Sequence, residues 1–171
     1  MNFDLAFQRL LGQEGGFTAD PRDRANWTTG RIGRGELRGT KYGISAMSYP
    51  GEDIQNLTES RAMELYLRDF WGPAGCDLVP EPLKYPLFET AVHTSAPRKP
   101  LFAIRMLQKA LGVRDDGIIG PITMGAISSA NPYRLTARFY GHRLDHLNDL
   151  PTWNIYARGW AQRIADNLKE L

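Results

Sequence analysis

The spacing of apolar residues constrains the fold most, because it is helical on both sides of one irregular segment. Near the N-terminus the stripe has the i, i+4, i+7 and i+8 spacing of an amphipathic helix and consists of Phe3, Phe7, Leu10 and Leu11. Residues 17–51 are instead rich in glycine, threonine, arginine and aspartate, with no helical period. The pattern predicts a mainly α fold with a small β-hairpin or loop insertion, placed loosely at residues 28–33. An irregular stretch this long is usually functional.

Further helices are predicted after the irregular segment. Thr58 is placed to cap the first of them, and its buried stripe is expected to be Ala62, Leu65, Tyr66 and Phe70. Glycines 15 and 16 should end the N-terminal helix. The others are expected near residues 86–95, 100–111, 121 onward, 132–148 and 153–169. The proline-rich run at residues 96–100 predicts a boundary. We therefore expect residues 1–97 and residues 98–171 to be two regions that pack as one compact unit.

Composition excludes several protein classes. The chain has 171 residues, of which 42% are hydrophobic and 23% are charged, as in ordinary globular proteins. No run approaches the roughly 18 apolar residues of a membrane-spanning helix. The first residues lack the basic leader of a secretory signal. We therefore expect a chain that is cytoplasmic at synthesis and acts elsewhere only after release.

No metal or organic cofactor is expected. The single cysteine, Cys76, has no basic neighbour that would activate its thiol, and it has no partner for an internal disulfide. His142 and His146 have the spacing of one helical face, but no third ligand stands out nearby, so two solvated histidines are the favoured interpretation.

Charge is unevenly distributed. Residues 1–97 carry 10 basic and 13 acidic side chains, whereas residues 98–171 carry 11 basic and 6 acidic ones. A basic half of this kind can attach to an anionic cell-envelope surface, although charge alone favours a solvated helical surface. The arginines form no recognisable DNA-recognition helix, so a nucleic-acid partner is not expected. We also expect the protein to be a monomer.

Glu14 is the leading candidate for a catalytic acid. It lies four residues after Leu10 and two glycines follow it, so it continues the apolar face of the predicted helix. Partial burial of a carboxyl there would raise its pKa, as a general acid near neutral pH requires. The alternative is that the helix end frays and leaves the Glu14 side chain exposed to water.

Other polar and aromatic residues of the irregular segment complete a candidate site. Asp20 or Asp23 could supply the second, ionised carboxylate of a glycoside hydrolase, and turn formation is the alternative for both. Thr40 could hold a water molecule against a carboxylate. Tyr42 and Trp27 could stack on a sugar ring. The other tryptophans lie on predicted amphipathic helices and are expected in the core; they are Trp71, Trp153 and Trp160.

Several motifs together resemble glycoside hydrolase family 108, the N-acetylmuramidases of bacteria and bacteriophages that were once described as secretion activators. They are Glu14-Gly-Gly-Phe17, Asp20-Pro-Arg-Asp23, Thr40-Lys-Tyr-Gly-Ile-Ser45 and Tyr66-Leu-Arg-Asp-Phe-Trp71. Downstream, Leu107-Gln-Lys-Ala-Leu-Gly112 and Asp116-Gly-Ile-Ile-Gly-Pro-Ile-Thr123 resemble the peptidoglycan-binding region that accompanies this catalytic domain. The resemblance therefore covers nearly the whole chain.

The resemblance implies a lysozyme-like catalytic domain that cleaves the β-1,4 bond between N-acetylmuramic acid and N-acetylglucosamine, as in an endolysin. Glu14 takes the role of the family's catalytic acid. The spacing of phage-type lysozymes favours Asp23 over Asp20 for the second carboxylate and Thr40 for the water-orienting hydroxyl. Asp23 would then activate water or stabilise the cationic intermediate.

The chain departs from the family pattern in two places, and two rival functions stay open. Residues 24–39 are a longer insertion than usual, and His93 stands where the family commonly has asparagine, where it could donate to an acetamido group. A lytic transglycosylase would not depend on either aspartate. A non-catalytic peptidoglycan-binding or secretion-activator protein would bind the wall without cleaving it.

Overall fold

The computed structural model describes residues 1–12 and 16–171. The chain divides into two compact units, one of residues 2–69 and one of Met1 with residues 70–171. The boundary expected near residue 97 lies within the unit that begins at Phe70, and the division into regions 1–97 and 98–171 stays a prediction.

The unit of residues 2–69 begins with helix α1, Phe3–Leu11. The side chain of Asn2 caps it by accepting a hydrogen bond of 3.0 Å from the Leu5 amide. Phe7 is fully buried and packs against Tyr66 with ring centroids 5.5 Å apart. The helix ends before Gly12, which has a φ of 56°. The predicted helix is confirmed, but the described helix ends earlier than glycines 15 and 16.

A short hairpin forms the β structure of this unit. Strand β1, Thr40–Lys41, pairs antiparallel with strand β2, Ile44–Ser45. A 3-10 turn at Arg24–Asn26 precedes it. Residues 28–33, where a hairpin was loosely expected, form a loop that is closed by a bridge between Trp27 and Leu37. The small β insertion is confirmed, with its strands further along the chain.

Helix α2, Glu59–Tyr66, ends the regular structure of the first unit, and its residues agree with the sequence pattern. The hydroxyl of Thr58 accepts a 3.2 Å hydrogen bond from the Arg61 amide, so the predicted cap is confirmed. Ala62, Leu65 and Tyr66 are buried as predicted. A π-helical turn, Leu67–Trp71, follows it.

The regular elements of the unit of residues 70–171 are helices and helical turns, joined by short loops. Its elements are α3 (Gly72–Ala74), a 3-10 turn (Cys76–Leu78), α4 (Glu81–Thr94), α5 (Leu101–Leu111), α6 (Pro121–Ser129), α7 (Pro132–Asn148) and α8 (Trp153–Lys169). Helices α4, α5 and α7 pack against one another, and α8 packs on α7. Their shared core includes the fully buried side chains of Leu87, Phe88, Leu107 and Phe139.

Buried Gln108 organises the loop that joins α5 to α6. Its side-chain amide nitrogen lies 2.8 Å from Asp116 Oδ1, 3.0 Å from the Ile118 carbonyl and 3.2 Å from Thr123 Oγ1, and it donates to this group of acceptors. Its oxygen accepts a 2.7 Å hydrogen bond from the Gly117 amide. Gly117 has a φ of 81°, which favours glycine. The Asp116–Thr123 motif is thus held by one buried side chain.

Two expectations about aromatic and cysteine side chains can be compared directly with the fold. Trp71 is buried as predicted, but Trp153 and Trp160 are only half-buried, so the prediction that they belong to the core is wrong. Burial raises the pKa of the Cys76 thiol, which disfavours its reactive thiolate.

Two features are absent from the part of the chain that the structure describes. No helix among residues 1–12 and 16–171 is long and apolar enough to cross a bilayer. The same residues contain no group of three histidine, cysteine or carboxylate side chains placed to hold a metal ion.

Candidate functional site

Asn26 lies at the centre of the polar segment, with no exposed surface. Its side-chain nitrogen donates a 3.0 Å hydrogen bond to the Asp20 carbonyl. Its backbone carbonyl accepts hydrogen bonds of 3.0 Å from the amides of Arg38 and Gly39. Asn26 therefore ties the loop of Asp20 and Asp23 to the chain that enters strand β1.

The same asparagine fixes the hydroxyl of Thr40. Because the Asn26 nitrogen faces a carbonyl, which only accepts, the Asn26 oxygen must face Thr40. The Thr40 hydroxyl lies 2.7 Å from that oxygen and donates to it. The proton of Thr40 is thus committed to Asn26, and the lone pairs of its oxygen remain able to accept a hydrogen bond from water.

The carboxylate of Asp20 is hydrogen-bonded by Arg22, two residues further along the chain. The Arg22 side chain donates to both carboxylate oxygens, at 3.0 Å from Nε to Oδ1 and 2.8 Å from Nη2 to Oδ2. The Arg22 amide adds a 2.9 Å hydrogen bond to Oδ1. These bonds lower the pKa of Asp20 to about 2, because hydrogen bonding favours the charged form. Both oxygens of Asp20 are therefore occupied.

Asp23 has a different environment, although it lies only three residues away. It is exposed and caps the 3-10 turn, with Oδ1 accepting a 2.9 Å hydrogen bond from the Ala25 amide. Among the described residues, no hydrogen bond reaches its Oδ2. Asp23 therefore keeps one carboxylate oxygen available to a ligand or water.

The aromatic candidates lie on the same segment. Tyr42 occupies the hairpin turn with a φ of 51° and is half-buried. Its carbonyl accepts a 3.1 Å hydrogen bond from the Tyr66 hydroxyl. Half-buried Trp27 donates from its indole nitrogen to the Pro21 carbonyl at 2.9 Å. Both rings keep exposed surface on the unit that contains Asp23 and Thr40.

The hairpin turn requires glycine at residue 43, and this gives a stability prediction. Gly43 has a φ of 73°, and an added Cβ would collide with the Tyr66 hydroxyl. We expect Gly43→Ala to lower the free energy of unfolding by at least about 1–2 kcal/mol. Urea denaturation measures it, and Gly51→Ala is the matched control because Gly51 has open space around it. Equal effects of the two substitutions would contradict this role for the turn.

The structure does not test the other two predicted site residues, Glu14 and His93. Glu14 lies outside the described residues, so its catalytic role stays a prediction. His93 belongs to the unit of residues 70–171, at the end of α4. Both of its ring nitrogens have partners within the protein, Glu89 and Arg163. Its predicted contact with substrate stays a prediction.

Asn26 is the residue that the sequence did not single out. An asparagine within a polar segment is typical of a turn, and only its hydrogen bonds show that it links Asp20, Thr40 and the hairpin. Asn26 thereby connects the loop of the two aspartates to a threonine whose hydroxyl oxygen can accept a hydrogen bond from water.

Comparison with known proteins gives two family matches and one similar solved structure. A family described as "Glycosyl hydrolase 108" matches residues 7–94, and a "Predicted Peptidoglycan domain" matches residues 102–165. A solved structure titled "Structure of Brucella abortus SagA" is 25% identical, covers 98% of this chain and 92% of that chain, and has a TM-score of 0.78. No curated protein matches the chain.

These matches confirm the mainly α, lysozyme-like fold and support peptidoglycan as the binding partner. They identify a glycosidase or binding protein that acts on the cell wall. The first match covers more than half of the chain, and this protein therefore belongs to glycosyl hydrolase family 108.

Proposed function

We propose that this protein is an N-acetylmuramidase, which hydrolyses the β-1,4 bond between N-acetylmuramic acid and N-acetylglucosamine in peptidoglycan. Glu14 donates a proton to the glycosidic oxygen. Asp23 activates the attacking water or stabilises the cationic intermediate, and Thr40 positions the water. The family match over residues 7–94 supports the reaction class.

The hydrogen bond from Thr40 to Asn26 is the observation that carries the proposal. A nucleophilic water must present a lone pair to the anomeric carbon, so its neighbours should accept its protons rather than donate to it. With its own proton given to Asn26 Oδ1 at 2.7 Å, Thr40 acts toward water as an acceptor. An ionised Asp23 can accept the second proton of the same water.

The environments of the two aspartates support Asp23 as the functional one. Arg22 occupies both oxygens of Asp20, so using Asp20 would require breaking that pair. Asp23 gives only one oxygen to the backbone of its own turn. Asp20 is then a structural residue that fixes the start of the loop.

Product analysis tests the proposed bond specificity. Purified peptidoglycan is digested with the protein, the fragments are reduced, and their ends are identified by mass spectrometry beside a digest without protein. We expect reducible N-acetylmuramic acid ends. Anhydro ends would replace the proposal with a lytic transglycosylase, and reducible N-acetylglucosamine ends would indicate the other glycosidic bond. Wall binding without any release would indicate a non-catalytic protein.

The two aspartates should differ in their effect on the pH profile. The pKa of Asp20 is lowered to about 2, so Asp20 stays ionised above about pH 3 and becomes protonated only as the pH falls further. We expect Asp20→Asn to leave the acidic limb of kcat/KM in place, and Asp23→Asn to lower kcat roughly 10²-fold or more.

Asn at residue 23 can still cap the 3-10 turn, so the loss should reflect chemistry rather than folding. Rates of wall-fragment release between pH 3 and pH 8 measure both variants. The assignment would be reversed if Asp20→Asn lost activity while Asp23→Asn kept it.

A further inference from the structure

A cavity of about 420 Å³ opens within the unit of residues 70–171, and no residue proposed for catalysis lines it. Its walls come from the end of α4, the start of α5, the end of α7 and the middle of α8. Cationic or polar side chains and aromatic side chains line it together, and they include His93, Phe102, Arg143, His146, Trp160 and Arg163. None of the lining residues is acidic.

The cationic side is built around Glu89, which is 1% exposed. Arg143, itself buried, donates to Glu89 Oε2, and the Asn167 side chain donates to the same oxygen at 3.2 Å. Arg163 Nε lies 3.6 Å from Glu89 Oε1. Two guanidinium groups thus face one carboxylate, which leaves a positive charge at the cavity wall.

His93 adds no charge and helps to hold Arg163. Its Nδ1 lies 2.8 Å from the Glu89 carbonyl, an acceptor, so Nδ1 carries the proton. Its Nε2 accepts a 2.8 Å hydrogen bond from Arg163 Nη1. Packing around the ring lowers the pKa of His93, which agrees with this neutral form. Arg163 Nη2 receives no partner among the described residues, and 48% of the side chain is exposed.

The aromatic side continues onto the surface of α8. The Trp160 ring lies 5.5 Å from the Tyr156 ring and 6.2 Å from the Trp153 ring, centroid to centroid. Their spacing places the three side chains along one helix face, and Tyr156 is 54% exposed. Among the residues that line the cavity, the Phe102 and His146 ring centroids lie 4.4 Å apart. A ligand here meets an arginine and an aromatic surface together.

We propose that this cavity binds the peptide stem of peptidoglycan, with Arg163 holding a stem carboxylate and Trp160 and Phe102 contacting the methyl groups of its alanyl and lactyl parts. A free carboxylate beside small apolar groups fits the paired cationic and aromatic walls. The proposal rests on the peptidoglycan match, which contains Arg163, Trp160 and Phe102, and it does not depend on the proposed hydrolysis.

Calorimetry with the full chain and two soluble probes tests the proposal. The first probe is N-acetylmuramyl-L-alanyl-D-glutamine, which keeps the α-carboxylate that the second stem residue leaves free and has no glycosidic bond to cleave. The second is the same compound with that carboxyl converted to an amide. We expect the acid to bind the wild-type protein roughly tenfold more tightly or better. Equal affinities would overturn the carboxylate assignment without any variant being needed.

Arginine variants locate the interaction on the protein. Arg163→Gln should remove the preference for the acid, whereas Arg158→Gln, which removes the same charge from an exposed residue of α8, should keep it. Trp160→Ala should lower the binding affinity for both probes by a similar factor. A preference that survives Arg163→Gln, or no binding of either probe to the wild-type protein, would overturn the proposal. Thermal melting of each variant checks that it is folded.

Discussion

Replacing Glu14 by glutamine should lower the rate of wall-fragment release by roughly 10²–10⁴-fold, the usual contribution of a general acid. Glutamine has nearly the same size and can still accept a hydrogen bond, but it cannot deliver a proton to the glycosidic oxygen. We therefore expect binding to peptidoglycan to be retained. Turbidity loss of a wall suspension and sedimentation with purified wall measure the two properties separately.

Glu36→Gln is the matched control for this substitution. Glu36 lies in the polar segment, is exposed, and pairs with Arg38 at the surface, where an ion pair contributes little to stability. Glu36→Gln should therefore leave the rate of wall-fragment release within about twofold of wild type. If Glu14→Gln kept wild-type activity, the catalytic acid would have to be sought elsewhere in the chain.

Arg143→Met should strongly destabilise the unit of residues 70–171. It would leave the buried carboxylate of Glu89 without its closest cation. Removing one partner of a buried ion pair costs about 3–5 kcal/mol. Arg163 and Asn167 still reach Glu89, so a value near the lower end is expected. Urea denaturation followed by circular dichroism measures the free energy of unfolding.

Two further variants separate the buried charge from the lost side chain. Arg138→Met removes an exposed arginine of α7 and should change the free energy of unfolding by less than about 0.5 kcal/mol. The double variant Glu89→Gln with Arg143→Met should be more stable than Arg143→Met alone, because no uncompensated carboxylate remains. Equal losses in Arg143→Met and Arg138→Met would show that the pair contributes little.

Local signals in the sequence were sufficient for most helices. Thr58 caps α2 and Pro121 opens α6 as predicted, because capping and proline effects depend on a few neighbouring residues. The sequence pattern predicts a start near residue 86 for helix α4, which in fact begins at Glu81. Proline is common at helix starts, but Pro86 lies inside this helix. Trp153 and Trp160 share one helical face with the spacing of core residues. Spacing shows which side chains share a face, but whether another element covers that face depends on tertiary packing.

The candidate site could be predicted only in part for a similar reason. Asp20 and Asp23 were equivalent as turn-forming residues in the sequence. Their difference comes from the Arg22 side chain folding back onto Asp20, which residue types alone do not determine. The role of Asn26 depends on backbone groups as far along the chain as Gly39, so a local pattern could not reveal it.

The loop held by Gln108 has a consequence for how the Asp116–Thr123 motif is interpreted. Asp116, Gly117 and Thr123 bond inward to one buried amide, so these motif positions are constrained by loop closure. The motif therefore identifies the way this loop folds, and the specificity of a ligand site has to come from side chains that do not take part in that closure.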